Sequence, residues 1–474
     1  MKYEENLAHL FSFGEDFFLL DVNSGSIHQI SEAAYRLVVL WREAACSLAA
    51  LPALLQQAQA RLSHGFSPEV GIADIEEICE GLEGLVKEGQ LLSRAPGLED
   101  YSPPQDYVVK ALCLHVAHDC NLRCRYCFAG AGAFGGDRSL MSFAIGKQAL
   151  DFLFDASGHR QNVEVDYFGG EPLMNFAVVK KLVLYGEKES RRRGKTLRQT
   201  LTTNGVLLQG DALDFLNSHD VALVLSLDGR PESHDKMRPT VGGQGSYQTV
   251  LPHLMDAVAS RGGENYFIRG TYTGENKDFF LDVLHMVESG FRHISVEPVV
   301  AMPGETFAFR EEDLPALLAQ YESLARFMQT KKEEGEPFSF FHFQMDLDRG
   351  PCLPKRLSGC GAGCDYLAVS PEGALYPCHQ FVGNKDFVMG DVGAGVLKPE
   401  IGKGFRESHV LAKEACRSCW ARFYCSGGCH ANAWNLHHDL HKPFALGCAL
   451  EKKRLECAIW LIAKEADVFE TRTG

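Results

Sequence analysis

The 474-residue sequence has no excess of basic residues: 47 Lys and Arg stand against 62 Asp and Glu, a formal charge of −15. Such a chain lacks the basic face by which nucleic-acid-binding proteins engage phosphates, so no nucleic-acid partner is expected. The one local exception, Arg191-Arg192-Arg193 with Lys180, Lys181, Lys188 and Lys195, reads as a solvated helix end, with a basic peptide-docking patch as the alternative. Long apolar runs are also missing. Val221 to Leu225 is typical and far too short to span a bilayer, so no membrane partner is expected. The N-terminus carries Glu4, Glu5, Glu15 and Asp16 where a signal peptide would be basic and then apolar, which leads to the expectation of a cytoplasmic protein. No internal repeat or low-complexity segment stands out.

Cysteine is what the chain has in quantity. Sixteen cysteines in a chain this long do not read as the disulfide framework of a small secreted domain. Their spacing is uneven, with three at 120 to 127 and nine between 352 and 448, which points to metal sites. Cys46, Cys79, Cys113 and Cys457 lie in apolar patterns and read as core residues.

The expected fold class is α/β. Residues 1–95 read as a small α+β unit, with short apolar segments Leu10–Leu20 and Ser26–Ile30 flanking the turn Asn23-Ser24-Gly25, then helical patterns at 31–43, 47–63 and 72–91. A linker rich in Pro and Gly follows. From 105 to 300, six strand-like segments alternate with helical ones: Val108–Ala117, Val163–Phe168, Leu197–Thr203, Val221–Leu227, Tyr266–Thr273 and His293–Val300. That alternation predicts a parallel sheet forming a partial, TIM-like (β/α)6 barrel. Each strand ends in polar residues, and the rim at the strand ends is where barrel-type sheets carry their chemistry. Residues 301–345 form a helical connection with a long helix over Glu311–Lys332, and 346–474 form a cysteine-rich domain.

Cys120, Cys124 and Cys127, after the first strand's end, supply three thiolates within a span of eight residues. A four-iron cluster held by three cysteines keeps one iron open. A zinc knuckle is the bland alternative, but structural zinc takes four protein ligands, usually with pairs spaced CxxC.

With Gly169-Gly170-Glu171-Pro172 one strand later, residues 108–300 resemble the radical S-adenosylmethionine (SAM) superfamily. The resemblance implies that the open iron is chelated by SAM, whose reductive cleavage releases a 5′-deoxyadenosyl radical. It implies that Tyr126 lies against the adenine and that Gly169, Gly170, Glu171 and Pro172 receive the SAM ammonium. Thr203, Asn204 and Ser226 would face the ribose and carboxylate, with Arg238 as a further carboxylate partner or an ordinary salt bridge. His115 and His118 beside the loop read as hydrogen-bonders behind the cluster. Glu171, Asp228 and Asp235 are the rim carboxylates nearest a substrate. Asp235 reads either as a base for a substrate thiol or as a helix cap.

The tail carries Cys360, Cys364 and Cys378, then Cys416-x2-Cys419-x5-Cys425-x3-Cys429, and finally Cys448. This spacing resembles the SPASM extension of radical SAM peptide maturases, which implies two auxiliary clusters and three [4Fe-4S] clusters in all. By position, one would take Cys416, Cys419, Cys425 and Cys448; the other would take Cys378, Cys429 and cysteines of the Cys360/Cys364 pair. Cys352 is left as a variable ligand, a catalytic acid/base thiol or a surface residue. His379 stands where sulfatase-maturating relatives carry a catalytic aspartate, a departure from that branch.

The wording from Asn121 to Phe128, and from Gly359 to Cys364 into Tyr376–Gly383, resembles thioether-forming maturases of six-cysteine (SCIFF-type, ranthipeptide) precursors and of quinohemoprotein amine dehydrogenase. The implied function is formation of cysteine sulfur-to-carbon crosslinks in a ribosomally made precursor peptide. Another radical modification, such as a carbon–carbon crosslink, epimerisation or dehydrogenation, is the alternative. The implied partners are a cysteine-containing precursor with a leader and an electron donor of flavodoxin or ferredoxin type. Residues 1–95 resemble the winged-helix leader-recognition element of such enzymes, using strand addition at a hairpin edge; a generic capping domain is the alternative.

Overall fold

The computed structural model describes residues 2–44, 47–48, 72–95, 97–98, 100–104, 108–345 and 352–473. Cys46 and all but the first two residues of the helical pattern at 47–63 lie outside the described residues. The N-terminal unit is a three-stranded antiparallel sheet, β1 (Ala8–Phe13), β2 (Asp16–Asp21) and β3 (Ile27–Ile30), followed by helices α1 (Glu32–Ala44) and α2 (Ile72–Lys87). The expected segment Leu10–Leu20 is therefore two strands. Gly14, at φ 62°, supplies the left-handed residue of a turn inside an apolar run, and only Asn23-Ser24-Gly25 falls between strands as expected.

Side chains alternate across this small sheet as period two requires. Leu10 and Leu19 pack toward α1 and α2 with Leu37, Val38 and Trp41, while Phe11, Phe13, Phe18 and Leu20 join the main core. Phe13 stacks on Trp460 at 4.3 Å, and His9 lies face to face with Trp420 at 3.8 Å. The unit is thus bonded to the body of the protein through one whole face.

Six parallel strands make the centre: β4 (Ala111–Ala117), β5 (Asn162–Gly169), β6 (Thr196–Thr203), β7 (Ala222–Ser226), β8 (Tyr266–Tyr272) and β9 (His293–Pro298). Each pairs with its sequence neighbour. The crossovers run through α3 (Phe143–Ala156), α4 (Phe176–Arg192), α5 (Asp211–Ser218), α6 (Pro231–Met237), α7 (Tyr247–Ser260) and α8 (Phe279–Glu288). The helix α9 (Leu314–Glu333) follows, as its periodicity predicts.

The sheet does not close on itself. Beyond β9 lies a two-residue strand, β10 (Ser339–Phe340), and beyond β4 lies β11 (Tyr366–Val369), parallel to β4 and contributed by the cysteine-rich region. Strands β12 (Ala374–Tyr376), β13 (Gly390–Asp391) and β14 (Gly395–Val396) extend it antiparallel to 11 strands. The expected boundary at 346 is crossed by main-chain hydrogen bonds, since Tyr366 to Val369 pair with Ala111 to Leu114.

The two faces of the sheet differ in chemistry. Leu112, Leu114, Val165, Tyr167, Leu201, Leu223, Ile268 and Val296 are buried under the helices. On the opposite face Cys113, Ala368 and Phe168 join a cluster with Tyr366, Cys378 and Phe381. Asp166, Thr202, Arg269 and Glu297 share that inner face by the alternation of their strands. Cys79, Cys113 and Cys457 are buried, as their apolar settings imply.

The exits of β4 and β5 fit so closely that no side chain can stand between them. A Cβ on Gly169 would lie 2.2 Å from the Ala117 carbonyl oxygen, and one on Gly170 would lie 2.2 Å from that of Asp119. Gly170→Ala is expected to lower stability by about 1–3 kcal/mol, the usual cost of overpacking. Gly84→Ala, on α2 with nothing within 4 Å, should raise it by about 0.5–1 kcal/mol. Equilibrium denaturation of both variants reads the contrast.

Candidate iron–sulfur and SAM site

The loop bearing Cys120, Cys124 and Cys127 begins where β4 meets this close approach. Gly170 N–H donates to Ala117 O (2.7 Å) and Glu171 N–H to Asp119 O (2.8 Å), so the Gly-Gly-Glu-Pro segment is laced to the loop by its main chain. The Leu122 amide donates to Cys120 Sγ at 3.4 Å, and Asn204 Nδ2 stands 3.6 Å from the same sulfur while donating to Asn121 Oδ1 at 2.7 Å. Burial pushes the Cys120 thiol up to about 11 and Cys124 to about 12, with the neighbouring cysteines of the loop adding to the shift. Two such thiols clustered with a third are suited to a cation that ionises them.

Two roles expected from the sequence change. Glu171 is fully buried, and both of its oxygens are already engaged. Oε1 accepts from the Leu173 amide (3.0 Å) and Thr203 Oγ1 (2.8 Å), and Oε2 accepts from the Asn204 amide (2.8 Å). It is a brace between the ends of β5 and β6 rather than an acceptor for an ammonium. Thr203 is turned into that brace and does not face a ribose. Pro172 opens a single 3-10 turn, Pro172–Asn175, and Asn175 Nδ2 donates to the carbonyls of Val116 and Met141.

Tyr126 leaves the cysteine loop toward a buried pair. Its hydroxyl donates to Asp228 Oδ2 (2.6 Å) and accepts from Arg238 Nε (2.7 Å), while Arg238 and Asp228 stand 3.2 Å apart. Asp228 also accepts from the Thr271 amide at 3.0 Å. Asp228 therefore fixes the loop and is not a free rim carboxylate, and Arg238 is a structural ion-pair partner. Asp235 Oδ1 accepts the Tyr247 amide at 2.7 Å, at the start of α7, which is the helix-capping reading. Ser226 closes β7 and is half-buried in register with Arg269. His115 Nδ1 and His118 Nε2 lie 3.2 Å apart behind the loop, with burial lowering both rings and His118 reaching about 4.

The tail cysteines fall into two groups. Cys378 is pushed up by burial, then by Cys429 and Cys360 beside it. Cys364 is adjacent to Cys360 but turns its sulfur to the Gly402 carbonyl at 3.3 Å. In the second group Cys425 is raised to about 12 by burial, with Glu451, Cys448 and Cys416 nearby, and Cys448 to about 11 with Cys416 and Cys419 nearby. Lys413 is fully buried against this group. Its Nζ donates to the Gly427 carbonyl (2.8 Å), and burial lowers its pKa while Cys416, Cys425, Cys429 and Cys448 raise it. A buried ammonium among thiols fits an anionic cluster. Cys352 is exposed at the start of the helix Leu353–Ser358, near Tyr101. Among the described residues no three His, Cys, Asp or Glu converge as a single ion requires. Thiolates around one zinc would stand about 3.8 Å apart, and a four-iron cube spaces them more widely.

Lys413, Asp166 and Tyr366 were missed by sequence reasoning. Asp166 alone carried a signal, the alternation Glu164-x-Asp166-x-Phe168 along β5.

Residues 110–252, from β4 into α7, match a family described as the 4Fe-4S single cluster domain. A cysteine-type anaerobic sulfatase-maturating enzyme of Clostridium novyi is 22% identical over 336 residues, 66% of this chain and 86% of that one. An uncharacterized protein of Methanocaldococcus jannaschii is 29% identical over 143 residues, 30% of this chain and 46% of that protein, so the chain spans less than half of that relative's length. Among solved structures, anSMEcpe with bound AdoMet aligns with a TM-score of 0.64 at 18% identity, covering 76% of this chain and 96% of that one. Streptococcus suis SuiB bound to precursor peptide SuiA aligns at 0.52 and 16%, covering 94% and 99%. The fold is thus a mixed α/β fold with a large parallel sheet, similar to radical SAM and SPASM enzymes. Within that class the likeness extends to maturases, the sulfatase-maturating enzyme among them.

Glu171→Gln tests the brace. An amide must turn its NH2 toward one of three donors, leaving a buried donor unpaired at a cost of about 1–3 kcal/mol. The expected outcome is a lower unfolding midpoint together with reduced iron retention by the 120–127 loop, read by iron analysis of the variant.

Proposed function

We propose that this protein is a radical SAM maturase that installs thioether crosslinks from cysteine sulfur to carbon in a ribosomally made precursor peptide. The observation that carries this reading is that β11 joins β4. The pairing brings Cys378 into the side-chain cluster on the inner sheet face against which Cys127 of the first loop also packs.

In this reading Cys120, Cys124 and Cys127 hold the first [4Fe-4S] cluster. Cys416, Cys419, Cys425 and Cys448 hold one auxiliary cluster, and Cys378, Cys429 and Cys360, with Cys364 beside them, serve the other. Bound SAM supplies a 5′-deoxyadenosyl radical that removes a hydrogen atom from the acceptor residue. The chain's own residues position and protect. The Leu122 amide and Asn204 donate to the Cys120 sulfur, and the Gly169-Gly170 backbone gives a close edge for SAM with Ser226 and Asn204 at the neighbouring strand ends. The Tyr126–Asp228–Arg238 triad holds the loop's aromatic in place, and Lys413 balances the charge of an auxiliary cluster.

The precursor's leader would add to β3, which pairs only with β2 among the described strands, and a flavodoxin or ferredoxin would deliver the electron. A second reading, another radical modification of a peptide or protein, is favoured by the likeness to the sulfatase-maturating enzyme. His379 after Cys378 stands against a sulfatase-type site.

Anaerobically purified protein is expected to hold about twelve irons as three four-iron clusters. Replacing Cys120, Cys124 and Cys127 together by alanine should remove about four of them and end SAM cleavage, read by iron content and 5′-deoxyadenosine release. Continued release would overturn the cluster assignment.

Each crosslink should lower the peptide mass by about two daltons, because one S–H and one C–H become C–S. Alkylating the peptide's cysteines beforehand should abolish that loss in the mass spectrum. A two-dalton loss from fully alkylated peptide would move the assignment to the second reading.

A further inference from the structure

The inner face of the sheet carries two carboxylates in contrasting surroundings, Asp166 on β5 next to β4 and Glu297 on β9 four strands further along. Glu297 on β9 stands between two guanidiniums, Arg269 at 3.2 Å and Arg454 at 3.7 Å, with the His342 ring, lowered by burial to about 3, at 3.3 Å. Against the effect of burial, these neighbours hold its carboxyl down at about 2. Asp166 on β5 has no such pair. Its Oδ1 accepts from Thr202 Oγ1 at 3.3 Å, a long hydrogen bond, and Arg269 is a more distant influence already paired to Glu297.

The other groups facing Asp166 are weak acids. Cys113 is its register partner on β4, and Tyr366 comes from β11. Tyr366 is hydrogen-bonded to Cys113, its hydroxyl lies 3.1 Å from His379 Nδ1, and it is close enough to feel both Asp166 and Cys378. Burial therefore governs Asp166 and pushes its carboxyl up to about 7. Two carboxyls on one face whose surroundings drive them apart are the arrangement that separates a fixed anion from a proton carrier.

We propose that Asp166 is the general base that accepts the proton of the substrate cysteine thiol, with Glu297 and Arg269 as the fixed charges that orient the peptide beside it. The role rests on the thioether reading. In that step the C–H hydrogen atom leaves to the 5′-deoxyadenosyl group, the S–H proton passes to the Asp166 carboxylate, and the S–C bond forms. One electron leaves to a four-iron cluster acting as oxidant, which balances the reaction. The position suits the task. Asp166 lies three residues before Gly169 and pairs in register with Cys113, whose cluster on the inner face also holds Cys378 and has Cys127 packed against it. Unlike Glu171, Asp228 and Asp235, it accepts from no main-chain amide among the described residues.

The test uses the cluster-loaded enzyme and a cysteine-bearing precursor, comparing wild type, Asp166→Asn and Asp166→Glu. Wild type should gain crosslinking rate with pH through an inflection near about 7. Asp166→Asn should lose about 10²–10³-fold in crosslinking and the inflection with it, while still releasing 5′-deoxyadenosine. Asp166→Glu should recover part of the rate. A wild-type rate and profile in Asp166→Asn would overturn the role.

A second readout needs no turnover. A carboxyl raised by the fold favours the folded state only while protonated, so the wild type should lose stability as pH rises from its ordinary value toward 7. The denaturation midpoint of Asp166→Asn relative to wild type should climb over that window and level off above it. A flat difference would show that Asp166 does not titrate there and would also overturn the role. A mass loss that persists with every peptide cysteine blocked would instead remove the thioether reading, and this role with it.

Discussion

The structure depends on one close contact, the passage of the Gly169-Gly170 backbone against the carbonyls of Ala117 and Asp119. Two parallel strands leave the sheet there with no room for a single Cβ between them, and two main-chain hydrogen bonds hold them together. Everything at the site is referred to that contact. The cysteine loop starts on one side of it, and on the other the Glu171 carboxylate reaches across to tie in the end of β6. Because the positions are set by backbone rather than by long side chains, the loop is pre-positioned for a rigid inorganic group that tolerates little misplacement.

Polar groups near the site divide into those that hold the frame and those left facing the interior. Glu171, Thr203, Asp228, Arg238 and Asp235 belong to the frame, each with partners that account for its charge or hydroxyl. Asp166, Arg269, Glu297 and Tyr366 form the interior surface. The division follows from strand alternation and from how each strand ends. Residues before the end point inward or outward by turns, whereas those just past it turn sideways to brace the neighbouring loop.

Much of this was legible in the sequence. All six central strands lie within a few residues of their expected places, because buried parallel strands read as short apolar runs between helical patterns. The failures have physical reasons. The run Leu10–Leu20 hides a turn at Gly14 because both flanking strands are apolar on both faces, one packing on α1 and α2 and the other on the main core. Glu171 and Thr203 were read as ligand-facing because rim residues look alike in sequence, and the register that turns them into a brace is a three-dimensional fact. The short strand Tyr366–Val369 gave no periodic signal among glycines and cysteines, yet it decides which groups share the inner face.

That short strand has a consequence for how the protein is made. β4 stands at the start of the central sheet, and its edge stays bare, with unpaired amides and carbonyls, until β11 has been synthesised roughly half a chain later. During translation the nascent sheet therefore exposes a sticky border directly beside the first cysteine loop. Overproduction that outruns tail synthesis or iron supply should fail by edge-to-edge association of half-made chains rather than by loss of the helical shell.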